Sequence, residues 1–156
     1  MTEFPKMKND ADKWDKRFLE LAKHIASWSK DPSTQAGAVI VDDKRRVVSV
    51  GFNGLARGVE DLEERLHDRN LKYKMFVHCE RNAIIFARQS LENCILYTWP
   101  FMPCGACAGM VIQAGINRVV APHSENPRWQ EDFALAREQF KEAGVDLCLL
   151  EPVESA

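Results

Sequence analysis

The sequence predicts a three-layer α/β/α domain, in which helices cover both faces of a five-stranded mixed sheet. The first observation is a helical period over residues 12–29, followed by two β-branched runs close enough to form a hairpin. The second is the alternation of helices and strands after residue 78. A length of 156 residues fits one domain. We therefore predict a single domain over residues 1–156, with residues 1–10 as a loose N-terminal arm.

The first half of the chain predicts a helix, a hairpin and a long loop. Apolar residues recur at steps of three and four over residues 12–29, which describes one face of a helix. Residues 38–42 and 47–53 are strand-like runs joined by a charged turn, so we expect them to form a hairpin. Residues 54–77 carry glycines and then many charges, a pattern that indicates a long loop with room for a short helix.

The second half of the chain alternates helices with strands. Helices are predicted over residues 79–89, 105–115 and 128–143, and strands over residues 94–99, 119–121 and 145–150. Gly115 and Gly144 stand where the second and third of these helices end, as glycine commonly does. A helix and a hairpin followed by such alternation are typical of a mixed sheet with helices on both faces.

Composition and charge restrict the classes of protein to which the chain belongs. The formal net charge is −2, so the overall charge gives no electrostatic basis for binding nucleic acid. No apolar run reaches membrane-spanning length and the N-terminus has no apolar segment of a secretory signal, so we expect a cytoplasmic protein without a membrane partner. The cysteines number five, and in a cytoplasmic chain a close pair suits metal binding or catalysis better than a disulfide.

Two short segments carry residues suited to hold a catalytic metal ion. His78-Cys79-Glu80 and Pro103-Cys104-Gly105-Ala106-Cys107 each stand at the start of a predicted helix. One helical turn presents the sulfurs of Cys104 and Cys107 on one side, and a helix N-terminus favours thiolates. Zn²⁺ prefers tetrahedral nitrogen and sulfur ligands, and its catalytic sites use three protein ligands. We therefore predict zinc ligation by His78, Cys104 and Cys107.

Glu80 is the predicted proton carrier. At the first turn of a helix, Glu80 and His78 both reach a point just beyond the helix end. Glu80 is therefore placed to take a proton from an attacking water and to return it to a ring nitrogen and a leaving amine. The combination of His-x-Glu with Pro-Cys-x-x-Cys is typical of zinc deaminases. A closed structural zinc site would need a fourth ligand, and the chain has no second Cys-x-x-Cys.

Beyond these motifs, the sequence resembles the deoxycytidylate (dCMP) deaminase branch of the zinc-dependent cytidine deaminase superfamily. The resemblance runs from about Phe18 to Leu150 and includes residues 29–41, the turn at residues 51–54, the segment 78–84 and the segment 112–116. It implies hydrolytic deamination of a small-molecule cytosine nucleotide, most directly dCMP to dUMP and ammonia. It also implies a homo-oligomer, because such domains usually complete their sites with loops from neighbouring subunits.

The resemblance implies roles for residues outside the metal ligands. Asn53 would contact the sugar, and the backbone of Cys79 would bind the ring carbonyl. Arg57, which follows the Asn53 turn closely, would be the first cation to meet the phosphate. The long loop over residues 58–77 would help to close the site and would bring other cations near the phosphate, with Arg65, Lys72 and Lys74 as candidates.

Two departures from the family pattern affect the site. Cys79 stands where the family usually has alanine. It is either a small residue whose backbone N–H does the work, which we favour, or a fourth metal ligand or redox-sensitive thiol. The segment 97–104 is one residue longer than the usual form, so residues 99–101 are expected to reshape the base pocket.

Three other functions compete with nucleotide deamination. The first is a deaminase of another small heterocycle, such as a nucleoside, a free base, or a modified purine or pterin, and the lengthened segment motivates it. The second is a nucleic-acid base editor, against which the acidic balance and the absence of a basic C-terminal helix argue. The third is a catalytically inactive binding module, against which the intact metal motifs and Glu80 argue.

Overall fold

The described part of the chain, residues 12–151 of a computed structural model, folds as a sheet between two layers of helices. The predicted N-terminal arm over residues 1–10 lies outside it. No helix within the described part is long and apolar enough to cross a membrane. In chain order the elements are α1 (Lys13–Ala26), β1 (Gly37–Val41), β2 (Val47–Phe52), β3 (Gly54–Leu55), α2 (Glu63–His67), α3 (Arg69–Met75), β4 (Phe76–Val77), α4 (Cys79–Ala87), β5 (Ile95–Trp99), α5 (Gly105–Gln113), β6 (Arg118–Pro122), α6 (Gln130–Ala143) and β7 (Asp146–Leu150).

The main sheet is mixed and has the strand order β2-β1-β5-β6-β7. β1 pairs antiparallel with β2 on one side and with β5 on the other. β5, β6 and β7 are parallel, as expected of strands connected through the helices α5 and α6. The predicted hairpin and the predicted five-stranded mixed sheet are both confirmed.

Both faces of the central strands are buried, which explains their nearly continuous apolar sequence. On β1, Val39 and Val41 pack with the apolar face of α1, whereas Ala38 and Ile40 pack in a second cluster with side chains of α4, α5 and α6. Successive side chains of a strand point to opposite faces, so the five residues of β1 pack against both helix layers. The predicted three-layer α/β/α arrangement is confirmed.

The four helices predicted from periodicity all exist, and each lies inside its predicted range. α1 ends at Ala26 and is followed by a hydrogen-bonded turn, whereas the prediction extended to residue 29. α4 ends where Arg88 adopts a left-handed conformation with φ of 51°. A 3₁₀ turn at Pro127–Trp129 occupies the start of the range predicted for α6. Helix ends are the part of a helix that sequence patterns define least sharply.

Residues 54–77 contain more secondary structure than the predicted loop with a short helix, so that prediction is wrong in part. The segment forms the two helices α2 and α3, and β3 pairs with β4 in a small ladder. α3 begins after Asp68, whose side chain accepts hydrogen bonds from the backbone N–H groups of Asn70 and Leu71. Only Leu66 of α2 is buried and no residue of α3 is, so the apolar period that identifies a helix is missing.

A buried ion pair joins α1 to the sheet across 103 positions of sequence. Arg118 donates hydrogen bonds from Nη1 and Nη2 to the two carboxylate oxygens of Asp15, at 2.9 and 3.1 Å. The Tyr97 hydroxyl donates to Oδ1 of the same carboxylate at 2.6 Å. Burial, together with the bond to Asp15, raises the pKa of Tyr97, which therefore stays a donor. The network holds α1 against β5 and β6.

Substitution of Asp15 by alanine should lower the free energy of unfolding by about 3–5 kcal/mol, because it removes the carboxylate that accepts from both Nη atoms of the buried Arg118. The longer contact of Arg118 Nε with the exposed Asp146, at 3.6 Å, does not replace it. Chemical denaturation measures the change. Glu20→Ala is the matched control, since Glu20 is exposed on the same helix and should change the stability by less than about 0.5 kcal/mol. Equal stability of the two variants would show that the ion pair contributes nothing to the fold.

Candidate active site

The N-termini of α4 and α5 meet at one end of the sheet and bring the two sequence motifs together. His78 is the N-cap residue of α4, and Cys104 is the N-cap residue of α5. The backbone N–H of Cys107 donates to the Cys104 sulfur at 3.4 Å, so the first turn of α5 already orients one sulfur. Since both helices point their N-terminal ends at the same place, the site also gains the positive ends of two helix dipoles.

A glycine on β2 lets α4 approach the sheet closely enough to place His78. A Cβ atom at Gly51 would lie 2.5 Å from the backbone nitrogen of Ala83 and 2.6 Å from the backbone oxygen of Cys79. Both contacts are with backbone atoms of α4, which cannot rotate away. The close packing of α4 on β2 therefore requires glycine at this position and sets the depth of the first turn of α4.

Three potential metal ligands converge at this point, namely His78, Cys104 and Cys107. Their ligand atoms all lie within 4.8 Å of one another. The Nδ1 atom of His78 is 3.6 Å from the Cys104 sulfur and 3.2 Å from the Cys107 sulfur. In a tetrahedral zinc site, metal–ligand distances of about 2.3 and 2.0–2.1 Å put a sulfur and a nitrogen ligand about 3.6 Å apart. The donor set and its spacing therefore fit Zn²⁺ with three protein ligands.

The electrostatics of the cluster favour negative charge on sulfur. Hydrogen bonding with Cys107, assisted by His78, lowers the pKa of Cys104 to about 3, against the opposing effect of burial. The same contact with Cys104, together with burial, raises the pKa of Cys107. The hydrogen bond to Cys104 also raises the pKa of His78. One thiolate thus already exists in the pair, which suits a divalent cation.

Glu80 is a buried carboxylate beside the metal-ligand cluster. It is 6% exposed and faces the same cavity as His78 and Cys104. The Cys79 thiol donates a hydrogen bond to Oε1 of Glu80, with a sulfur–oxygen distance of 2.5 Å. Burial, followed by the charge of Glu80, raises the pKa of Cys79, so this thiol is protonated and acts as a donor. Cys79 does not belong to the group of atoms that converge on the metal position.

A cavity of about 170 Å³ opens above the cluster. One wall comes from the segment after α1 and from α3, and the other comes from the end of the β5–α5 connection and the start of α6. The floor is formed by the N-termini of α4 and α5. The lining residues are Asp31, Ser33, Thr34, Ala36, Asn53, Arg69, Lys72, Tyr73, Phe76, His78, Cys79, Glu80, Phe101, Met102, Cys104, Arg128, Trp129, Asp132 and Phe133.

Of the predicted substrate-binding residues, Asn53 lines this cavity and Arg57 does not. Asn53 lines it and is itself fixed, because its side chain accepts from the Ala36 N–H at 2.9 Å and donates to the Thr34 carbonyl at 2.9 Å. Arg57 is not among the lining residues, and its guanidinium lies 5.6 Å from the ring centroid of Phe86. The structure therefore brings Asn53 and Cys79 to the metal cluster but not Arg57.

Three cations reach the cavity from outside the metal motifs. Lys72 donates to Asp31 at 2.8 Å, and this largely buried pair neutralises its charge. Arg69 and Arg128 line the cavity and form no ion pair within residues 12–151. Lys72 belongs to the cations expected from the resemblance. Arg69 lies in the loop over residues 58–77 that is expected to bring cations to the site, although it is not among the named candidates. Nothing local in the sequence marks Arg128, which lies in a polar segment that only the fold brings to the cavity.

An aromatic wall forms the side of the cavity near Cys104. The ring of Phe101 lies 5.8 Å from that of Trp129 and 5.5 Å from that of Phe133, and the Arg128 guanidinium covers Trp129 at 4.4 Å. Of the lengthened segment over residues 97–104, Phe101, Met102 and Cys104 line the cavity. Trp99 does not, because it packs with the cluster on the α1 side of the sheet. An apolar wall of this kind suits a flat heterocycle.

Comparison with known proteins agrees with this site. Residues 12–122 match the family described as the cytidine and deoxycytidylate deaminase zinc-binding region. The chain is 44% identical over 141 residues to an uncharacterised deaminase of Aliivibrio fischeri, covering 88% of this chain and 94% of that one. It is 37% identical over 146 residues to the deoxycytidylate deaminase of Mus musculus, covering 90% of this chain and 81% of that one.

The fold is also similar to that of a solved enzyme structure. The dCMP deaminase of the cyanophage S-TIM5 superposes with a TM-score of 0.70 over 90% of this chain and 100% of that one, at 17% sequence identity. At this identity the likeness concerns the fold, which is the cytidine deaminase-like fold. The family match, the sequence relatives and the convergent His and Cys side chains lead to one assignment. The chain belongs to the family of cytidine and deoxycytidylate deaminases and is a zinc-dependent deaminase.

Proposed function

We propose that the protein deaminates dCMP to dUMP, with ammonia as the second product. One observation carries the proposal: a buried carboxylate, the His/Cys/Cys cluster and two arginines that form no ion pair within residues 12–151 face one cavity. The first two features suit hydrolytic deamination, and the arginines suit a nucleotide rather than a nucleoside. The deoxycytidylate deaminases among the sequence relatives support the same substrate.

The chemistry follows from the residues around the metal position. Zinc held by His78, Cys104 and Cys107 supplies Lewis-acid activation of the attacking water. Glu80 accepts the proton of that water and passes it to the ring nitrogen as the water oxygen bonds to the amino-bearing carbon. Glu80 then accepts the second proton from the hydroxyl now on that carbon and delivers it to the amino group, so that the carbonyl forms as the C–N bond breaks and ammonia departs. The Cys79 hydrogen bond holds one oxygen of Glu80 during these transfers.

Recognition of the remaining substrate groups is assigned to the walls of the cavity. The base lies against Phe101 and Phe133, and the backbone N–H of Cys79 serves the ring carbonyl. Asn53, fixed by its two backbone contacts, serves the sugar. Arg69 and Arg128 serve the phosphate, since charge-assisted hydrogen bonds from guanidinium to phosphate are strong and Lys72 is already paired. The sequence-based prediction of Arg57 for this role remains an alternative.

Replacement of Arg128 by alanine should reduce kcat/KM for dCMP by about 10- to 100-fold, the equivalent of one charge-assisted hydrogen bond of about 1.5–3 kcal/mol. The same variant should leave kcat/KM for deoxycytidine nearly unchanged, since the nucleoside lacks the phosphate. Arg69→Ala should likewise lower kcat/KM for dCMP and leave that for deoxycytidine nearly unchanged. Arg57→Ala is the matched comparison: if it alone loses the preference for dCMP, the phosphate lies at Arg57 and the assignment to the cavity arginines is wrong.

Product analysis tests the proposed reaction itself. Zinc-loaded protein incubated with dCMP should form dUMP and ammonia in equal amounts. A panel with deoxycytidine, cytosine, guanine and a pterin covers the other heterocycles. Turnover of one of these without turnover of dCMP would refute the proposed substrate and leave the deaminase chemistry in place.

We also propose that the protein forms a homo-oligomer. Ile85 and Phe86 of α4, Met110 of α5 and Leu135 of α6 are between 46% and 62% exposed, although large apolar side chains are usually buried. All four belong to the helix layer that carries the metal motifs. A homo-oligomer that covers these side chains would bring neighbouring subunits to the layer in which the site is built.

A further inference from the structure

Helix α6 holds both peptide groups of Gly105, the residue that follows the metal ligand Cys104. The backbone N–H of Gly105 donates to Oδ1 of Asp132 at 3.3 Å, and the Gly105 carbonyl accepts from Nε2 of Gln139 at 2.9 Å. Asp132 and Gln139 are seven positions apart, which is two helical turns, so they project from one face of α6. The two contacts hold the peptide units before and after Gly105.

The packing of α6 on Gly105 leaves little room for a side chain. A Cβ atom at this position would lie 3.2 Å from Oδ1 of Asp132 and 3.5 Å from Cβ of Leu135. Gly105 begins α5, so its position fixes the direction in which the first turn leaves Cys104. That turn also contains Cys107, and the Cys107 N–H donates to the Cys104 sulfur.

We infer that Asp132 is a positioning residue for the zinc site, acting with Gln139 through the Gly105 peptide groups. Asp132 lines the active-site cavity beside Cys104, where its carboxylate adds unfavourable negative charge near the Cys104 thiolate. Its acceptance of a hydrogen bond from the Gly105 N–H explains why a carboxylate stands at this position despite that repulsion. Groups that orient metal ligands in this way commonly contribute a factor of about 10–100 to metal affinity. The inference rests on the proposed ligation by His78, Cys104 and Cys107.

Zinc affinity and cobalt spectroscopy test this role without relying on activity. Asp132→Ala should weaken zinc binding, measured by competition with a chelator, by about 10- to 100-fold. In the Co²⁺-substituted protein, the same variant should change the visible absorption that reports tetrahedral thiolate coordination. Asp132→Asn keeps an acceptor for the Gly105 N–H and should restore both readouts. Glu131→Ala removes the neighbouring exposed carboxylate of α6 and should change neither.

Gln139→Ala provides a second, independent variant, because it releases the Gly105 carbonyl and leaves Asp132 in place. It should weaken zinc binding in the same direction. Wild-type affinity and an unchanged Co²⁺ spectrum in folded Asp132→Ala or in folded Gln139→Ala would overturn the inference. Absence of zinc binding by the wild-type protein would instead refute the proposed metal site itself, so the two failures are distinguishable.

Discussion

The Glu80→Gln variant is expected to bind zinc as the wild-type protein does and to lose about 10²- to 10⁴-fold in kcat, the usual contribution of a positioned general acid–base. Glutamine has nearly the same shape as glutamate, so it fills the same buried position next to Cys79. It has no carboxylate to accept a proton from water or to pass one on to the ring nitrogen and the amine. Zinc content by elemental analysis and kcat with dCMP are the two measurements.

Zinc content and kcat together distinguish a role of Glu80 in proton transfer from a role in metal binding. Glu64→Gln, an exposed position on α2, controls for the loss of one negative charge and should keep full activity. Turnover near the wild-type rate in zinc-loaded Glu80→Gln would refute the role of Glu80 as proton carrier. Loss of zinc together with activity would show instead that Glu80 supports the metal.

Replacement of Cys104 by alanine should abolish both stoichiometric zinc and deaminase activity. The site offers three protein ligands within 4.8 Å of one another, and none of the remaining residues of that group can replace the lost sulfur. If zinc binding contributes about 10 kcal/mol in all, loss of one ligand of three costs about 3 kcal/mol, which is more than a 100-fold loss of affinity. Zinc content after dialysis and ammonia release from dCMP measure the two effects.

A matched variant separates metal ligation from the general loss of a thiol. Cys148→Ala removes a cysteine of β7, a strand at the far edge of the sheet, and should retain zinc and activity. Treatment of the wild-type protein with a strong chelator should reproduce the Cys104→Ala phenotype, and added Zn²⁺ should restore activity only to the wild type. A fully active, metal-free Cys104→Ala protein would refute the metal assignment.

The parts of the molecule that could be predicted from the sequence are those that depend on residues close together in the chain. The hairpin of β1 and β2 follows from two apolar runs and a charged turn. The metal motifs are equally local, because a helix N-terminus places an N-cap residue near the second and third residues of the helix. Residues 78 and 80 and residues 104 and 107 each satisfy this geometry within their own segments. Their convergence follows once α4 and α5 lie in one layer.

The parts that could not be predicted depend on contacts between distant segments. Arg128 and Asp132 reach the cavity only because α6 packs against α5, and the ion pair of Asp15 with Arg118 depends on strand order. α3 carries no buried residue, so no apolar period marks it in the sequence. Arg57 is predicted to be near the phosphate because it is close to Asn53 in sequence. In the structure it lies near Phe86 and does not line the cavity.

Deamination of a nucleotide rather than a nucleoside is tested by the ratio of kcat/KM for dCMP to that for deoxycytidine, measured as ammonia release by zinc-loaded protein. A zinc site that recognises a nucleotide through Arg69 and Arg128 predicts a ratio of at least about 100, since two guanidinium–phosphate contacts each contribute about 1.5–3 kcal/mol. Equal values for the two substrates would contradict the phosphate pocket, and no ammonia from either would contradict the proposed substrate altogether.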